Sequence, residues 1–438
     1  MRKPVNLEDK YTNKQSFEVH KLFSTGKNLS FQNSEMKEKL AEYKTELENE
    51  LREILSWWMQ MTIDEDHGGF VGKVDHDNKI HPAATKGSVL NSRILWTFSS
   101  AYNLTRNHEY LKIAERAFHY IAEHFIDKEF GGVYWSVDFA GKPLDTKKQI
   151  YALAFAVYGL SEFHRASKNE NAKKMAVYIY NDVLTHSYDE KFSGYIEAMT
   201  RDWKPATDLR LSEKDANEKK SMNTHLHLLE AFANLYRIWK DRSLKQRIIE
   251  IIRIFLDHII DSKTDHLILF FDDAWNPRSN VISYGHDIEA AWLVQEAAGI
   301  IEDDFLLEEV KTRSVKMAQA AAKGLDSDGG LWYEYDISQQ HLTREKHSWP
   351  QAEAMVGFFN AWQLAGDEKF LRRSLQSWEF VKEHMLDKRL GEWYWGVDAD
   401  HAAMKQEEKV GIWKCPYHNS RACMEIIHRI ENIFKERK

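Results

Sequence analysis

The sequence lacks the features that mark disulfide-stapled, secreted or membrane-embedded proteins. Only two of its 438 residues are cysteine, Cys415 and Cys423. Two cysteines suit a reducing compartment and cannot form a disulfide framework. No stretch approaches the roughly 18 consecutive apolar residues of a membrane span, and the N-terminal residues MRKPVNLEDKYTNKQSF contain no apolar core of a signal peptide. We therefore expect a soluble, cytoplasmic protein without a membrane partner.

The chain also lacks an excess of basic charge, since 60 lysines and arginines face 68 aspartates and glutamates, for a net charge of −8. This balance argues against a nucleic acid partner. Hydrophobic residues make up 43% of the chain, which is enough for a large core, and 15 tryptophans and 20 histidines are unusually many. Two interpretations stay open: the tryptophans are ordinary core residues, or some of them stack on the rings of a sugar in a cleft.

A turn pattern rich in glycine and aromatic residues recurs six times along the chain. Five copies carry a glycine at corresponding positions, spaced by about 62 residues or, once, by about twice that interval. The fourth copy falls inside the long interval and lacks this glycine. Each copy is typical of a tight β-hairpin. The six segments are DHGGFVGKVDHDNK (66–79), FGGVYWSVDFAGKP (130–143), FSGYIEAMTRDWKP (192–205), HLILFFDDAWNPRS (266–279), DGGLWYEYDISQQH (328–341) and LGEWYWGVDADHAA (390–403).

The segments between the hairpins have helical periodicity. Apolar residues are nearly continuous in YALAFAVYGLSEF (151–163), which indicates a helix buried on most sides. They form a single stripe, with charges opposite, in IAERAFHYIAEHFI (113–126), as on an outer helix. Each repeat therefore contains an inner and an outer helix, and a hairpin joins the outer helix to the next inner one.

Six such units can close on themselves, because each helix pair has an apolar flank that only a neighbouring pair can cover. We predict an all-α fold, an (α/α)6 barrel of six inner and six outer helices with short β-hairpins at one end. An open α-solenoid is the alternative, but six units complete a ring and no polar capping repeat is visible. We expect residues 34–438 to form this single catalytic domain and the polar residues 1–33 to form a mobile arm.

Polar residues gather at the starts of predicted inner helices, where a core helix should be apolar. In SMNTHLHLLEAFANLYRIW, Asn223 and His227 share one helix face, although an ordinary polar first turn would look similar. In SYGHDIEAAWLV, Glu289 can hold one ring nitrogen of His286 and set the basicity of the other. The same two residues could contribute to a metal site, but two ligands on one helix need others from elsewhere.

The stretch VGIWKCPYHNSRACMEII places His418 near the first turn of a helix, with Trp413 before it. Cys415 lies in the same stretch without an evident base, so we interpret it as a plain thiol rather than a nucleophile. In HSWPQAEAMVGFF, Trp349 stands beside an inner helix that carries Glu353.

Arg93 is the one arginine of an otherwise apolar helix, GSVLNSRILWTFSSAY. A buried guanidinium needs a partner, which can be an anion of the substrate or a salt bridge to an inner carboxylate. Two histidines and an arginine in one cleft suit the removal of a carbon-bound proton next to a carbonyl and its return on the opposite face, while the arginine stabilises the enediolate oxygen. On a sugar this reaction is epimerisation at C2.

These residues lie in motifs that resemble the N-acylglucosamine 2-epimerase superfamily and, within it, the cellobiose 2-epimerases. The resemblance runs from about Met36 to the C-terminus, and SYGHDIE together with KCPYHN is a specific pair. The motifs are NTHLHLLEA at 223–231, FFDDAWNPRSNVISYGHDIEAAWL at 270–293, WPQAEAMVG at 349–357 and KCPYHNSRAC at 414–423.

The resemblance implies an (α/α)6 barrel without a metal or organic cofactor, acting on a small oligosaccharide. The reaction would convert the reducing-end glucose of β-1,4-linked disaccharides to mannose. His286 and His418 would be the acid–base pair, with Glu289 supporting His286, and Arg93 would bind the enediolate oxygens. The substrate-binding residues implied in the same way are Asn223, His227, Trp349, Trp413, Tyr151 and Asp215. For the whole chain we expect a monomer or a weak homodimer.

One position departs from the family, which usually has two adjacent tryptophans where this chain has Ser348 and Trp349. The loss of a stacking face could weaken the second sugar subsite or change the linkage preference. The alternatives within the superfamily are a mannobiose or monosaccharide 2-epimerase and an aldose–ketose isomerase. From other classes they are an inverting glycoside hydrolase, which needs two well-separated carboxylates, and a sugar-binding protein without catalysis. Carboxylates available to a hydrolase would be Glu289, Glu353 and Asp215.

Overall fold

The structure is a computed structural model, and it describes residues 34–435. The chain divides into two compact units, Met1–Tyr43 and Lys44–Lys438. Of the first unit only residues 34–43 are described, and they form the start of a long helix. The mobile arm expected at residues 1–33 lies outside the described residues.

Residues 34–435 contain twelve α-helices, three five-residue π-helical turns and one 3₁₀ turn. The turns follow directly on outer helices, at Ile121–Phe125, Phe255–Ile259, Ala322–Gly324 and Val381–Met385. The α-helices are α1 (Ser34–Met61), α2 (Ser88–Thr105), α3 (His108–Tyr120), α4 (Ile150–Ser167), α5 (Glu170–His186), α6 (Met222–Ile238), α7 (Arg242–Ile254), α8 (Tyr284–Ile300), α9 (Asp304–Ala321), α10 (Ser348–Ala365), α11 (Glu368–Phe380) and α12 (Tyr417–Lys435).

The second unit is a closed double ring of helices. The even-numbered helices α2, α4, α6, α8, α10 and α12 pack in that order, and α12 packs back against α2. Along α4 nearly every side chain is buried, whereas α3 buries a single stripe. The predicted (α/α)6 barrel is therefore confirmed, and the open solenoid is excluded because the last inner helix contacts the first. None of the helices in residues 34–435 is long and apolar enough to cross a membrane.

Short strands at one end of the barrel form the predicted hairpins. A strand before an inner helix pairs antiparallel with the hairpin of the next unit, as where Lys86 lies opposite Val137. The sheets are β1–β2–β3, β4–β5, β6–β7, β8–β9–β10 and β11–β12. The strands are β1 (Lys86–Gly87), β2 (Ser136–Val137), β3 (Pro143–Asp145), β4 (Lys148–Gln149), β5 (Ala198–Met199), β6 (Lys220–Ser221), β7 (Phe270–Phe271), β8 (Val281–Ser283), β9 (Glu334–Asp336), β10 (His341–Thr343), β11 (Lys346–His347) and β12 (Gly396–Val397).

An ion pair between a buried lysine and an aspartate secures five of the six hairpins, a regularity that the sequence analysis missed. In each pair the aspartate follows an outer helix and the lysine precedes the next inner segment. The aspartate also accepts hydrogen bonds from its own turn, as where Asp127 accepts from the backbone N–H groups of Glu129 and Phe130. The pairs are Lys86–Asp64, Lys148–Asp127, Lys220–Asp189, Lys346–Asp326 and Lys409–Asp387, with N–O distances of 2.7–2.9 Å.

The fourth unit, whose hairpin lacks the repeated glycine, also lacks this pair within residues 34–435. The corresponding aspartate is Asp261, which accepts from the backbone of Lys263 and Thr264. The position of the lysine is taken by Ile282, directly before Ser283 and helix α8. The unit that diverges in sequence therefore also diverges in how its hairpin is fixed.

Replacing Lys148 by methionine is expected to lower the free energy of unfolding by roughly 1.5–3 kcal/mol, because the change removes a buried charge-assisted hydrogen bond to Asp127, whose carboxylate keeps Arg201 at 2.9 Å as its second cation. Both side chains are fully buried, and their N–O distance is 2.8 Å. Thermal unfolding followed by circular dichroism measures the effect. The matched control is Lys142→Met, an exposed lysine of the same hairpin, which should leave the melting temperature unchanged. Equal melting temperatures for the two variants would contradict a stabilising role of the ion pair.

Candidate active site

The hairpin end of the inner ring encloses a cavity of about 640 Å³. Its walls come from the first turns of inner helices and from the hairpins between them, so chain segments far apart in sequence meet there. The cavity brings all ten sequence-predicted site residues together. They are Arg93, Tyr151, Asp215, Asn223, His227, His286, Glu289, Trp349, Trp413 and His418.

His418 lies in the first turn of α12 and is held by a carboxylate. Its Nδ1 lies 2.7 Å from Oε1 of Glu353, which comes from α10. The other oxygen of Glu353 accepts a hydrogen bond of 2.9 Å from the indole N–H of Trp292. Within residues 34–435 the Nε2 atom of His418 has no hydrogen-bond partner in the protein, so this nitrogen is available to a substrate.

His286 is held differently from the arrangement that the sequence predicts. Its Nδ1 lies 2.8 Å from the hydroxyl of Ser283, three residues earlier at the start of α8. The expected contact from Glu289 to His286 does not form among the described residues. Glu289 instead accepts from Arg421 at 2.7 Å and lies 3.9 Å from Nδ1 of His418. His286 and Glu289 have the predicted spacing on α8. Arg421 on α12 nevertheless attracts the carboxyl group of Glu289, and the His286 ring contacts the hydroxyl of Ser283 instead.

Trp349 lies next to both histidines. The centroid of its ring lies 4.7 Å from that of His286 and 5.7 Å from that of His418, with the ring planes inclined by 49° and 43°. A flat apolar face thus lies beside two imidazoles in one cavity, an arrangement that suits a sugar ring lying on the indole. Ser348 lies in the cavity wall beside Trp349, and its small side chain occupies less of the cavity than a tryptophan would.

Arg93 is buried without a carboxylate partner. Its side chain is 2% exposed, and within residues 34–435 it forms no ion pair. One terminal nitrogen donates to the hydroxyl of Tyr151 at 2.7 Å, and the other lies 3.7 Å from the sulfur of Cys415. The guanidinium carbon lies 4.1 Å from the centre of the Phe155 ring, and Nε of Arg93 has no hydrogen-bond partner among the described residues. The salt bridge considered for Arg93 is therefore absent from the described residues, and its charge is available to an anion in the cavity.

On helix α6, Asn223 and His227 both reach the cavity. His227 Nδ1 lies 3.1 Å from Oε2 of Glu230, and the carboxamide oxygen of Asn223 is buried without a hydrogen-bond partner in the protein. His225, between them in sequence, points elsewhere: its Nε2 accepts from the backbone N–H of Tyr195 and its Nδ1 lies 2.7 Å from the carbonyl of Ser221. Asn223 thus presents an unused acceptor beside His227.

A long loop between β5 and β6 supplies one wall of the cavity. In this loop Asp215 accepts hydrogen bonds from the backbone N–H and the hydroxyl of Ser212, at 2.8 and 3.0 Å. On another wall the ring of Trp413 lies 5.7 Å from that of Trp135 and 5.9 Å from that of Tyr151. The mouth of the cavity therefore combines aromatic faces with polar loop residues.

Burial is the main influence on the protonation of the two histidines. It lowers the pKa of His286 to about 3, and the nearby His227 and His418 act in the same direction. It also lowers the pKa of His418 to about 3, although the hydrogen bond to Glu353 opposes the shift. Both imidazoles are therefore neutral at neutral pH and can accept a proton.

The two carboxylates beside His418 differ in protonation. Burial, followed by the negative charge of Glu353, raises the pKa of Glu289 to about 8. Burial also favours a higher pKa for Glu353, but the charge of Arg421 and the hydrogen bond with His418 outweigh burial and lower the pKa to about 2. At neutral pH Glu353 is therefore ionised and Glu289 retains a proton inside the site.

Glu289, Glu353 and His418 offer ligand atoms within 4.8 Å of one another, a spacing that could hold a metal ion. However, one nitrogen of Arg421 already donates to Oε1 of both carboxylates, at 2.7 and 2.6 Å. A metal ion would have to displace this guanidinium from the position that it occupies. The donor set therefore fits an ion-pair network better than a metal site.

Several residues of the site were missed in the sequence. Arg421 and Tyr417 flank His418 on α12, Glu230 follows His227 by three residues, and Ser283 precedes His286 by three. Helical spacing from a candidate histidine is a signal that could have identified Arg421, Glu230 and Ser283, since residues three apart share a helix face.

The fold and the site are those of a barrel enzyme with two neutral imidazoles beside a buried cation, and comparison with known proteins gives its class. The sequence model of the N-acylglucosamine 2-epimerase family matches residues 68–422. The chain belongs to this family and is an enzyme of the isomerase type.

Individual relatives cover nearly the whole chain. A cellobiose 2-epimerase of Bacteroides fragilis is 49% identical over 88% of this chain and 98% of its own, and one of Dictyoglomus turgidum is 40% identical over 86% and 96%. Among solved structures, the cellobiose 2-epimerase of Bacillus thermoamylovorans superposes with a TM-score of 0.86 at 38% identity, covering 89% of this chain and 100% of that one. The resemblance suggested by the sequence motifs is thereby confirmed.

Proposed function

We propose that this chain is a cofactor-independent sugar 2-epimerase that interconverts glucose and mannose at the reducing end of β-1,4-linked disaccharides. It would convert cellobiose to 4-O-β-D-glucosyl-D-mannose and lactose to epilactose. The observation that carries the proposal is the pair of neutral histidines, His286 and His418, that both lie next to Trp349, in the same cavity as Arg93, which has no carboxylate partner among residues 34–435. The names of the relatives give the substrate class. The two cysteines, both free, are consistent with a cytoplasmic location.

The reaction needs an acid and a base on opposite faces of C2. In the open-chain aldose the hydrogen on C2 is acidic because it lies next to the C1 carbonyl. One imidazole removes it as a proton through its unoccupied Nε2, and the other ring, once protonated, returns a proton on the opposite face. Glu353 stabilises the imidazolium of His418 through the 2.7 Å contact at Nδ1, and protonated Glu289 keeps a further proton within the site.

The intermediate of this reaction is an enediolate, whose negative charge is spread over the oxygens of C1 and C2. Arg93 is a buried cation of the cavity without a carboxylate partner among the described residues, and its position is fixed by Tyr151 and Phe155. A positively charged donor fixed in advance in a buried site stabilises charge that develops in the transition state. We therefore give Arg93 the role of binding the enediolate oxygens.

Sugar binding uses the remaining residues of the cavity. Trp349 would stack on the reducing unit and Trp413 on the non-reducing unit. Asn223 and His227 would hold hydroxyls and assist ring opening, because each has a polar atom that no protein group occupies, while Asp215 and Tyr151 complete the walls. The additional space at Ser348 would admit substrates that a second tryptophan blocks. We therefore expect this chain to differ from family members with two tryptophans chiefly in linkage preference.

Two other reactions can be weighed against this proposal. An aldose–ketose isomerase uses the same enediolate and returns the proton to C1, so a mixture of both products is compatible with the site. An inverting hydrolase needs two carboxyl groups roughly 6.5–9.5 Å apart. Glu289 and Glu353 both accept from one nitrogen of Arg421, at 2.7 and 2.6 Å, which places these two oxygens closer together than that and argues against this pair as the carboxyl groups of a hydrolase.

A proton NMR time course with cellobiose in D₂O tests the proposal. We expect glucosyl-mannose with deuterium at C2, because the imidazole that delivers the hydrogen to the opposite face carries a deuteron taken from the solvent. Release of free glucose would replace the proposal with hydrolysis, and a ketose as the main product would replace it with isomerisation. An unchanged spectrum with cellobiose, lactose and mannobiose would reject disaccharide epimerisation.

Treatment with EDTA is expected to leave the epimerisation rate unchanged, because the only residues in the described chain with suitable metal-ligand spacing already surround Arg421. The rate with cellobiose is measured before and after dialysis against the chelator. Loss of activity that is restored by a divalent cation would contradict a metal-independent reaction.

A further inference from the structure

Arg421 lies at the centre of the site without lining the cavity. Its side chain is 1% exposed and extends from α12, one turn after His418. One terminal nitrogen donates to Oε1 of Glu230 and to the hydroxyl of Tyr417, and the other to Oε1 of Glu289 and of Glu353. Three carboxylates from α6, α8 and α10 thus converge on a single guanidinium.

Two of these carboxylates each hold a histidine. Glu353 Oε1 lies 2.7 Å from Nδ1 of His418, and Glu230 Oε2 lies 3.1 Å from Nδ1 of His227. An ionised carboxylate only accepts hydrogen bonds, so each Nδ1 must carry the hydrogen. In a neutral imidazole the other nitrogen, Nε2, then has a free lone pair, and in neither ring does Nε2 have a protein partner among residues 34–435.

We propose that Arg421 is a positioning residue that, by keeping Glu353 and Glu230 ionised, fixes His418 and His227 in the tautomer whose unprotonated Nε2 faces the substrate. The inference deepens the proposed function, on which its kinetic part rests. His286 is the contrasting case, because the hydroxyl of Ser283 can either donate to its Nδ1 or accept from it. The hydrogen-bond partner of His286 therefore does not select a tautomer.

The charge balance explains why the cation is needed. Without it, the carboxyl groups of Glu230, Glu289 and Glu353 would be buried together with no cation, and both burial and neighbouring negative charge favour the protonated form of a carboxyl group. A protonated Glu353 could donate its hydrogen to Nδ1 of His418, which would shift the ring hydrogen to Nε2 and remove the lone pair that accepts the substrate proton. The same exchange at Glu230 would move the ring hydrogen of His227 from Nδ1 to Nε2. Arg421 would thus act on the chemistry through the histidines, without touching the sugar.

Nitrogen-15 NMR of histidine-labelled protein at neutral pH tests the tautomers directly, and it needs no substrate. Signals of His227 and His418 are identified by their loss in His227→Gln and His418→Gln. We expect both rings to carry the hydrogen on Nδ1 in the unaltered chain. In Arg421→Lys, where one ammonium group replaces the two-pronged guanidinium, at least one ring is expected to move to the Nε2–H form. Nε2–H signals for both rings in the unaltered chain would overturn the proposal.

Kinetics supply the second readout. For Arg421→Lys we expect kcat to fall by about 10–100-fold, as for other supporting residues around an active site, with KM within about threefold because the arginine makes no substrate contact. The acid limb of the kcat–pH profile should move to higher pH, because one ammonium group contacts fewer carboxyl groups than the guanidinium and favours the ionised form of Glu353 less. Unchanged tautomers together with an unchanged kcat would show that Arg421 has no positioning role.

Two additional variants keep the experiment decisive. Arg429→Lys is the matched control, an arginine on the same helix that donates to Asn360 and Gln363, and it should change neither tautomers nor kcat. If Arg421→Lys does not fold, the double variant Arg421→Gln with Glu230→Gln removes one charge of each sign and takes its place, with the tautomer of His418 as the readout. If the unaltered chain epimerises no disaccharide, the proposed function fails while the NMR result still decides the role of Arg421.

Discussion

Replacing His418 by glutamine is expected to lower kcat for epimerisation by on the order of 10²–10⁴-fold, the usual contribution of a general acid or base. Glutamine preserves the polar volume of the side chain but cannot carry a proton between carbon and solvent. His286→Gln should have an effect of similar size, because each turnover needs a group on both faces of C2. Initial rates with cellobiose at saturating concentration measure both effects.

Isotope exchange separates this explanation from a general loss of activity. In D₂O a variant with one remaining histidine can still exchange the C2 hydrogen of one epimer without inverting it, since removal and return then occur on the same face. The matched control is His428→Gln, an exposed histidine on the same helix α12, which should retain full activity. Epimerisation by His418→Gln at the rate of the unaltered chain would show that this ring takes no part in proton transfer.

The barrel could be predicted from sequence because its information is local and repeated. The glycine-bearing hairpins recur at a constant interval, and the contrast between nearly continuous apolar residues in α4 and the single stripe of α3 distinguishes inner from outer helices. Site residues were predictable for a related reason. Polar side chains in the first turns of buried helices, such as His286 and His418, have few explanations other than function.

Contacts between distant segments could not be predicted in this way. Arg421 and Glu230 are 191 residues apart, and nothing in the spacing of either residue identifies the other. The predicted contact of Glu289 with His286 was wrong for the same reason: local spacing permits it, but the stronger electrostatic attraction comes from α12. The lysine–aspartate pairs behind the hairpins were also missed, because a lysine in a polar turn gives no sign that it is fully buried, as Lys148 is.

Replacing Arg93 by methionine is expected to lower kcat by on the order of 10²–10³-fold, the cost of removing one preorganised donor from a developing oxyanion. Arg93→Lys should restore little of this activity, because an ammonium group cannot reproduce the planar stack over Phe155 and the hydrogen bond to Tyr151. The value of kcat should change more than KM, since the charge that Arg93 contacts is present only in the enediolate and the transition states that flank it.

The same substitution is expected to leave the melting temperature unchanged or to raise it. Arg93 is 2% exposed and has no carboxylate partner among the described residues, so the folded chain bears the cost of burying an uncompensated charge, and methionine removes that cost. Thermal unfolding of Arg93→Met, with Arg106→Met at the exposed end of the same helix as control, measures the effect. A large fall in melting temperature would identify Arg93 as structural. Higher stability with lost catalysis would mean that the buried charge is kept for the reaction.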